Sequence, residues 1–220
     1  MIRYGIFDVD GTLLDSMGVW HQASVRLLEK HGVTIPQGLD ETLEVLSLRG
    51  GSEYLSRHLL PQLTPEQVRE QIDQQLREEY RLRIPLKEGV RQQLERLHRQ
   101  GTRMIIATAG IDQCARDALT RLEILPFFEG MVNCADVGAD KNSPQVFLEA
   151  ARRLGATPHE AVVFEDAPHA IRTAQKAGFP VIGIPDCWAM ARRQDVAELC
   201  GELYLPHWSQ LEELERRMFP

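Results

Sequence analysis

The chain has 220 residues, of which 43% are hydrophobic, so it can bury one sizeable core, either as one large domain or as a domain with an insertion. Its 32 acidic residues outnumber its 25 Lys and Arg residues, and the formal net charge of -7 leaves no positive excess to neutralise a nucleic-acid backbone or an anionic membrane. We therefore expect neither nucleic acid nor a membrane as a partner.

The first predicted element is a buried strand at residues 2–7, an apolar run that stops at the turn Asp-Val-Asp-Gly. Similar apolar runs recur downstream, each preceded by a helical pattern, at residues 103–108, 131–134, 161–164, 181–184 and 203–205. Alternation of this kind predicts a parallel sheet covered by helices, which is an α/β fold of the doubly wound, Rossmann-like type.

Residues 15–83 break this alternation, because they show helical patterns and no convincing strand. One helix begins at Thr64-Pro65, and its buried face is marked by an apolar stripe of Val68, Ile72, Leu76 and Tyr80. We therefore predict an all-helical domain at residues 16–83, inserted into a catalytic core formed by residues 1–15 and 84–220.

The later part of the chain alternates predicted helices with the strands. Hydrophobic periodicity predicts them at residues 87–100, 112–122, 144–154 and 168–177. Gly101, Gly155 and Gly178 follow three of these helices and suit the left-handed position beyond a helix end, while Pro144 and Pro168 begin two of them.

The cysteines and the first residues bear on the cellular compartment. The four cysteines, at positions 114, 134, 187 and 200, form no CxxC pair, and a chain with this much core needs no disulfide. The apolar run at the start is short and lacks the cleavage site of a signal peptide. We expect a cytoplasmic protein with reduced thiols.

Two carboxylates follow the first predicted strand. Asp8 and Asp10 are two positions apart, so their side chains point to the same side at the carboxyl edge of the sheet, where open α/β sheets bind ligands. Close carboxylates are costly unless a cation lies between them or one keeps its proton. The pair therefore suggests a metal and acid/base chemistry, and a plain polar turn is the alternative.

Polar residues also end or follow the later strands. Thr108 precedes the small residues Ala109 and Gly110, so a hydroxyl and backbone amides can approach a bound ligand closely, although a strand-end cap is the alternative. Lys141 lies on a loop before a helix, where its ammonium can neutralise a nearby negative charge or remain solvated. Glu165-Asp166 ends a buried run, which favours a bound cation over a helix cap.

These motifs resemble those of the haloacid dehalogenase superfamily, in that family's order. The segment from Asp8 to Ser16, DVDGTLLDS, resembles the first signature, and Ala107-Thr108-Ala-Gly resembles the second. Lys141 with Pro144 resembles the third, and Val163-Phe-Glu-Asp166 resembles the fourth. The helical insertion resembles the C1-type cap of the β-phosphoglucomutase-like branch.

The resemblance implies a Mg²⁺-dependent phosphatase that acts on a small phosphorylated metabolite, such as a sugar phosphate, and we expect a monomer or a weak homodimer. Asp8 would be the nucleophile that forms an aspartyl-phosphate, and Asp10 the general acid and base. The implied Mg²⁺ ligands are Asp8, the backbone carbonyl of Asp10, Asp166 and, as a further contributor, Glu165. The implied phosphate-binding residues are Thr108, Ala109 and Lys141.

The segment Leu48-Arg49-Gly50-Gly51-Ser52 resembles the cap loop of that branch, so Arg49 and Gly50 are candidates for substrate specificity; an exposed arginine at a helix end is the alternative. A hexose-phosphate mutase of the β-phosphoglucomutase type is the second function considered. It is not preferred because His21 lies one position late for the histidine of those mutases, and Glu53 stands where they carry an arginine.

A third alternative is a phosphometabolite-binding protein without catalysis. Ala167 and Ala170 replace the serine and glycine usual in the fourth signature, so a hydroxyl near the site is missing. A dehalogenase is a poorer match, because it needs no second acid at the position of Asp10.

Overall fold

A parallel five-stranded sheet forms the centre of the computed structural model, which describes residues 1–44, 46, 48–186 and 190–219. The strands are β1 (Tyr4–Phe7), β2 (Arg103–Thr108), β3 (Met131–Asn133), β4 (Ala161–Glu165) and β5 (Val181–Gly183). They are arranged in the order β3-β2-β1-β4-β5, and each neighbouring pair is parallel. The predicted doubly wound α/β fold is confirmed.

Helices cover the sheet and form the insertion. The α-helices are α1 (Met17–Lys30), α2 (Leu39–Glu44), α3 (Leu48–His58), α4 (Pro65–Leu82), α5 (Val90–Arg99), α6 (Asp112–Arg121), α7 (Gln145–Leu154), α8 (Pro168–Lys176), α9 (Met190–Cys200) and α10 (Leu211–Met218). Short 3-10 helices lie at Leu125–Phe127, Pro158–Glu160, Gly201–Leu203 and Trp208–Gln210. Helix α5 begins later than predicted, because Gly89 has a φ of 84° and cannot continue a right-handed helix.

The core has one apolar layer on each face of the sheet. Phe7 of β1 and Phe164 of β4 belong to one layer, where their rings stack with centroids 4.3 Å apart and Trp208 lies 5.6 Å from Phe164. Ile6 and Val163 belong to the opposite layer. Because successive side chains of a strand point to opposite faces, β1 is packed on both sides up to its last residue, which fixes the position where Asp8 follows.

The prediction of a sixth strand at residues 203–205 is wrong, because the pairing there is shorter than a strand. A single bridge pairs Tyr204 with Gly183, and Leu205 donates its N–H to the Gly183 carbonyl at 2.9 Å. Gly201, with a φ of 52°, turns the chain into a 3-10 helix, which leaves too few extended residues beside β5 for a longer ladder.

Helices α1–α4, called the cap helices below, lie between β1 and β2 in the chain. The apolar stripe of α4 is buried as predicted, and α4 packs against α1, α3 and the core helix α6. The two linkers to the core run side by side, since Asp15 N–H bonds Pro85 O at 3.1 Å and Lys87 N–H bonds Leu13 O at 2.9 Å. The division into residues 16–83 and the remaining core stays a prediction.

Cys114, Cys134 and Cys200 are free, buried thiols, and Cys187 lies outside the described residues. Within the part of the chain that the structure describes, each helix is too short or too polar to cross a membrane.

Candidate active site

The polar residues that follow the strands gather at the carboxyl edge of the sheet. Asp8 follows β1, Thr108 ends β2, Lys141 lies on the loop after β3, and Glu165 ends β4 with Asp166 directly after it. From β1 the chain order runs outward to β2 and β3 on one side and to β4 and β5 on the other. The edge between β1 and β4 is therefore the point where the strand order reverses, which is where open α/β sheets bind ligands.

Three buried carboxylates meet at this edge. Asp8, Glu165 and Asp166 are 5%, 0% and 4% exposed, and each offers an oxygen within 4.8 Å of the others. Burial raises the pKa of Asp8 to about 7, and the negative charges of Glu165 and Asp10 add to this rise. Burial, then Glu165 and Asp8, raise the pKa of Asp166 well above its usual range. The cluster therefore favours a compensating cation.

Lys141 supplies one positive charge to the cluster. Its buried ammonium contacts Asp8 Oδ1 and lies 2.5 Å from Glu165 Oε1. Burial is the largest influence and lowers the pKa of Lys141, but the attraction of Asp8 and Glu165 outweighs it, and the pKa is raised above its ordinary range. Lys141 is therefore a permanent cation beside the candidate nucleophile.

Glu165 is hydrogen-bonded on both of its oxygens. Oε1 accepts from the Lys141 ammonium, while Oε2 accepts the N–H groups of Asp166 at 2.8 Å and Ala167 at 2.9 Å. A carboxylate has about four lone-pair sites, so these bonds use most of them. This favours Asp8 and Asp166 as metal ligands, with Glu165 holding Lys141 in place.

The remaining oxygens fit a hard divalent cation. Asp8 Oδ2 is buried and has no hydrogen-bond partner among the described residues, and Asp166 Oδ1 accepts only a long bond from Thr12 Oγ1 at 3.3 Å. Gly11 lets Asp166 approach, since its φ is 81° and a Cβ there would lie 2.4 Å from Asp166 Oδ2. Carboxylate and carbonyl oxygens are the ligands that Mg²⁺ prefers. The residues present therefore suit such an ion.

Asp10 lies beside this cluster and is held by residues of the insertion. Ser16 Oγ donates to Asp10 Oδ1 at 2.7 Å, and the Tyr80 hydroxyl donates to the same oxygen. Burial raises the pKa of Asp10, while the hydrogen bonds from Tyr80 and Ser16 oppose this rise. A carboxyl group with a raised pKa keeps its proton to higher pH than an ordinary aspartate, which suits a general acid.

Thr108 and Ala109 lie at the end of β2. The buried Thr108 hydroxyl accepts the N–H of Gly110 at 3.0 Å, and Asn133 Nδ2 donates to the Gly110 carbonyl at 2.8 Å. These bonds fix a short loop on which Ala109 is exposed. Thr108 thus acts as the strand-end cap considered above, and the phosphate-binding role of both residues stays a prediction.

Arg49 and Gly50 lie in the first turn of α3, so the loop conformation implied for them by the resemblance is wrong. Arg49 pairs with Glu53 one helical turn later, Nε to Oε1 at 2.9 Å, and an attraction at this spacing favours a helix. The Arg49 side chain is 85% exposed, so this ion pair gives it little fixed direction. The role of both residues in substrate specificity stays a prediction.

Two residues near the cluster, Tyr80 and Lys87, were not predicted from the sequence to lie there. The sequence places Tyr80 in the apolar stripe of α4. A buried tyrosine hydroxyl needs a hydrogen-bond partner, and that requirement could have indicated a polar contact for Tyr80. Lys87 donates to Gly11 O and Pro185 O and pairs with Asp186 at 3.3 Å. No local pattern points to Lys87, because its partners come from two distant segments.

A match to a family model identifies the class of protein to which this chain belongs. A family model described as haloacid dehalogenase-like hydrolase matches residues 5–184. The chain therefore belongs to the haloacid dehalogenase-like hydrolase family, and the prediction of a hydrolase of this superfamily is confirmed.

Among curated proteins, the validoxylamine A 7'-phosphate phosphatase of Streptomyces hygroscopicus subsp. limoneus is 27% identical over 213 residues, 94% of this chain and 98% of that protein. The phosphorylated carbohydrates phosphatase of Thermotoga maritima is 27% identical over 173 residues, 79% of this chain and 80% of that protein. Hexitol phosphatase A of Escherichia coli is 29% identical over 183 residues, 81% of each chain.

Two solved structures share the fold. β-Phosphoglucomutase from Clostridium difficile superimposes with a TM-score of 0.77 at 19% identity, covering 99% of this chain and 98% of that one. CbbY from Rhodobacter sphaeroides, solved in complex with phosphate, gives a TM-score of 0.76 at 22% identity over 86% and 89% of the two chains. These matches confirm the β-phosphoglucomutase-like fold.

Proposed function

We propose that this protein is a Mg²⁺-dependent phosphatase that hydrolyses a small phosphorylated metabolite, a sugar phosphate or a similar compound, through an aspartyl-phosphate on Asp8. The main support for this proposal is the environment of the two carboxylate oxygens of Asp8. One carboxylate oxygen is bound by Lys141, and the other, Oδ2, is buried without a partner in the described part of the chain. A carboxylate fixed in this way can act as a covalent nucleophile.

The reaction needs two displacements at phosphorus. In the first, a bond forms from an Asp8 carboxylate oxygen to phosphorus while the phosphorus–ester oxygen bond breaks, and the leaving oxygen takes its electron pair and a proton from Asp10. In the second, Asp10 takes a proton from water, whose oxygen attacks phosphorus, and Asp8 leaves as inorganic phosphate forms. Asp10 thus returns to its starting state.

Positive charge near Asp8 is needed because phosphoryl transfer spreads negative charge over the phosphate oxygens. Asp8, Asp166 and the backbone carbonyl of Asp10 would hold Mg²⁺, which when bound neutralises part of that charge as a Lewis acid. Lys141 supplies a further positive charge at Asp8 Oδ1. The loop of Thr108, Ala109 and Gly110 would add backbone N–H donors.

The names of the relatives support a phosphatase over a mutase. The three curated relatives described above are named as phosphatases, and two of those names specify a phosphorylated carbohydrate or a hexitol. The match to a β-phosphoglucomutase structure is at 19% identity and concerns the fold alone.

The test is phosphate release from a panel of sugar, polyol and nucleoside phosphates, with and without Mg²⁺. We expect release that requires Mg²⁺ and that falls about a thousandfold or more in Asp8→Asn, since loss of a covalent nucleophile removes most of the catalytic effect. Asp195→Asn, an exposed aspartate on α9, is the matched control and should leave release unchanged.

Equal release by wild-type protein and Asp8→Asn would contradict the proposal. Conversion of one hexose phosphate into its isomer without release of phosphate would instead identify a mutase. Binding without either reaction would identify a non-catalytic protein.

A further inference from the structure

The hydroxyl of Tyr80 joins the cap helices to the candidate acid Asp10. Tyr80 lies near the end of α4 and is 1% exposed, as the last member of an apolar stripe whose other members have no polar atom. Its hydroxyl contacts Asp10 Oδ1 across 70 positions of sequence. Packing alone would be served by phenylalanine, so the hydroxyl needs another explanation.

The direction of the hydrogen bonds follows from the donors. Trp20 of α1 lies with Nε1 at 2.6 Å from the Tyr80 hydroxyl. An indole nitrogen can only donate, so the Tyr80 oxygen accepts from Trp20 and its own hydrogen is left to donate to Asp10. Trp20, Tyr80 and Asp10 form a chain of hydrogen bonds with one fixed direction, and bonds in such chains strengthen one another.

This chain determines which oxygen of Asp10 can carry a proton. Both hydroxyl donors, Tyr80 and Ser16, use Oδ1. A proton on Asp10 is therefore placed on Oδ2, and that oxygen lies against Gly110, where a Cβ would be 2.6 Å away. Gly110 belongs to the loop after β2, so the acidic proton faces the loop that would bind the phosphate.

We propose that Tyr80 is a positioning residue for general acid catalysis, whose hydroxyl, oriented by Trp20, holds Asp10 so that Oδ2 delivers the proton to the leaving group. The inference rests on the proposed phosphatase activity and deepens it. In this role Tyr80 acts through Asp10.

The position of Tyr80 is fixed from the core side as well. The Arg121 guanidinium, on the core helix α6, donates to the Tyr80 carbonyl at 3.2 Å and to the Ile84 carbonyl. Ser16 and Trp20 lie just after the outgoing linker, and Tyr80 lies just before the returning one. Asp10, the candidate acid, is thus contacted by residues from both ends of the insertion.

Leaving-group dependence tests this role more sharply than activity alone. An alkyl phosphate needs its leaving oxygen protonated, whereas p-nitrophenyl phosphate has a leaving group that departs without a proton. We expect Tyr80→Phe to lower kcat/KM by about tenfold for the alkyl phosphate and by less than about threefold for p-nitrophenyl phosphate. Trp20→Phe should give the same selective loss to a smaller extent.

Two further variants make the result specific. Tyr54→Phe removes a hydroxyl from another tyrosine of the cap helices, on α3, and should leave both values of kcat/KM unchanged. In an Asp10→Asn background, Tyr80→Phe should cause no additional selective loss, because residues that act as a unit are not additive.

Equal losses on both substrates, or no loss on either, would overturn the role of Tyr80 while leaving the phosphatase activity of the wild-type protein intact. A selective loss that persists in the Asp10→Asn background would also overturn it, since Tyr80 would then act without Asp10. Failure of the wild-type protein to hydrolyse either substrate would overturn the proposed function itself, and this inference with it.

Discussion

Carboxylates outnumber ammonium groups at the carboxyl edge of the sheet. Asp8, Glu165 and Asp166 are buried there, and Lys141 is the ammonium that contacts two of them. Lys87 adds a second positive charge beside Asp166 but is itself paired with Asp186. The excess of buried negative charge is the physical reason to expect a divalent cation, because an uncompensated buried carboxylate is strongly disfavoured.

Gly11 gives a residue-scale prediction about that cation. Both Gly11 and Gly101 have a positive φ, 81° and 82°, so alanine at either position pays for the left-handed conformation, about 1 kcal/mol. Only at Gly11 would the added Cβ meet Asp166, whose Oδ2 lies 2.4 Å away, whereas nothing lies within 4 Å at Gly101. We expect Gly11→Ala to raise the Mg²⁺ concentration for half-maximal activity about tenfold or more.

Gly101→Ala is the control: it has the same backbone cost without the clash, and it should leave the Mg²⁺ requirement unchanged. The same Mg²⁺ requirement in both variants would show that Asp166 does not hold the metal.

The grouping of Asp8, Asp10, Lys141 and Asp166 could be expected from the sequence, because each follows a strand and the ends of parallel strands share one edge. The contacts of Tyr80 could not, since a hydrophobic stripe says which face of α4 is buried but not which core residue it meets. The helix at Arg49 could not be expected either, because the resemblance implied a cap loop there, while the ion pair of Arg49 with Glu53 favours a helix.

At the scale of elements, α4 packs against the cap helices α1 and α3 and against the core helix α6. Its start is set by a reciprocal pair of hydrogen bonds, in which Gln67 N–H bonds Thr64 Oγ1 at 3.3 Å and Thr64 N–H bonds Gln67 Oε1 at 2.8 Å. This capping box fixes where α4 begins, and thereby which residues form the buried stripe that ends at Tyr80.

Thr64 gives a prediction for this element. Its side chain is exposed, so Thr64→Ala removes the cap without changing the packing. We expect a loss of about 1 kcal/mol in the free energy of unfolding measured in urea. Thr64→Ser keeps the oxygen and should lose much less. An equal loss in both variants would show that the capping hydrogen bond contributes nothing to stability.

The strands were predictable to within one or two residues where they are apolar and buried on both faces, as β2 and β4 are. The apolar run near Tyr204 has a similar composition but follows Gly201 too closely to form an extended strand. Composition alone therefore predicted a longer strand than the single bridge that forms. Helix starts shifted for the same local reason, as at Gly89 before α5, where the backbone conformation of a glycine decides the boundary.

At the scale of the whole molecule, the buried carboxylates link folding to pH. Burial raises the pKa of Asp8 from 3.8 to about 7 and also raises that of Asp166, so the metal-free folded state holds protons that the unfolded chain releases at lower pH. This contribution to stability is present at low pH and is lost as the pH rises from about 4 to about 7. Mg²⁺ binds the ionised carboxylates, so it competes with these protons.

We therefore expect Mg²⁺ to raise the unfolding temperature more at about pH 8 than at about pH 5.5, by about twofold or more, relative to protein in a chelator. The measurement is a thermal unfolding series with and without Mg²⁺ at the two pH values. Asp166→Asn should abolish most of the difference. An identical Mg²⁺ effect at both pH values would contradict the link between metal binding and these carboxylates.

The central claim is that Asp8 carries the phosphoryl group during turnover. The most direct measurement is mass spectrometry of the protein quenched in acid during turnover of a good substrate, followed by digestion and analysis of the peptide that contains Asp8. We predict that this peptide carries one added phosphoryl group, that the added mass requires Mg²⁺, and that it is absent from Asp8→Asn. Active turnover with the phosphoryl group on another residue, or with the same added mass in Asp8→Asn, would contradict it.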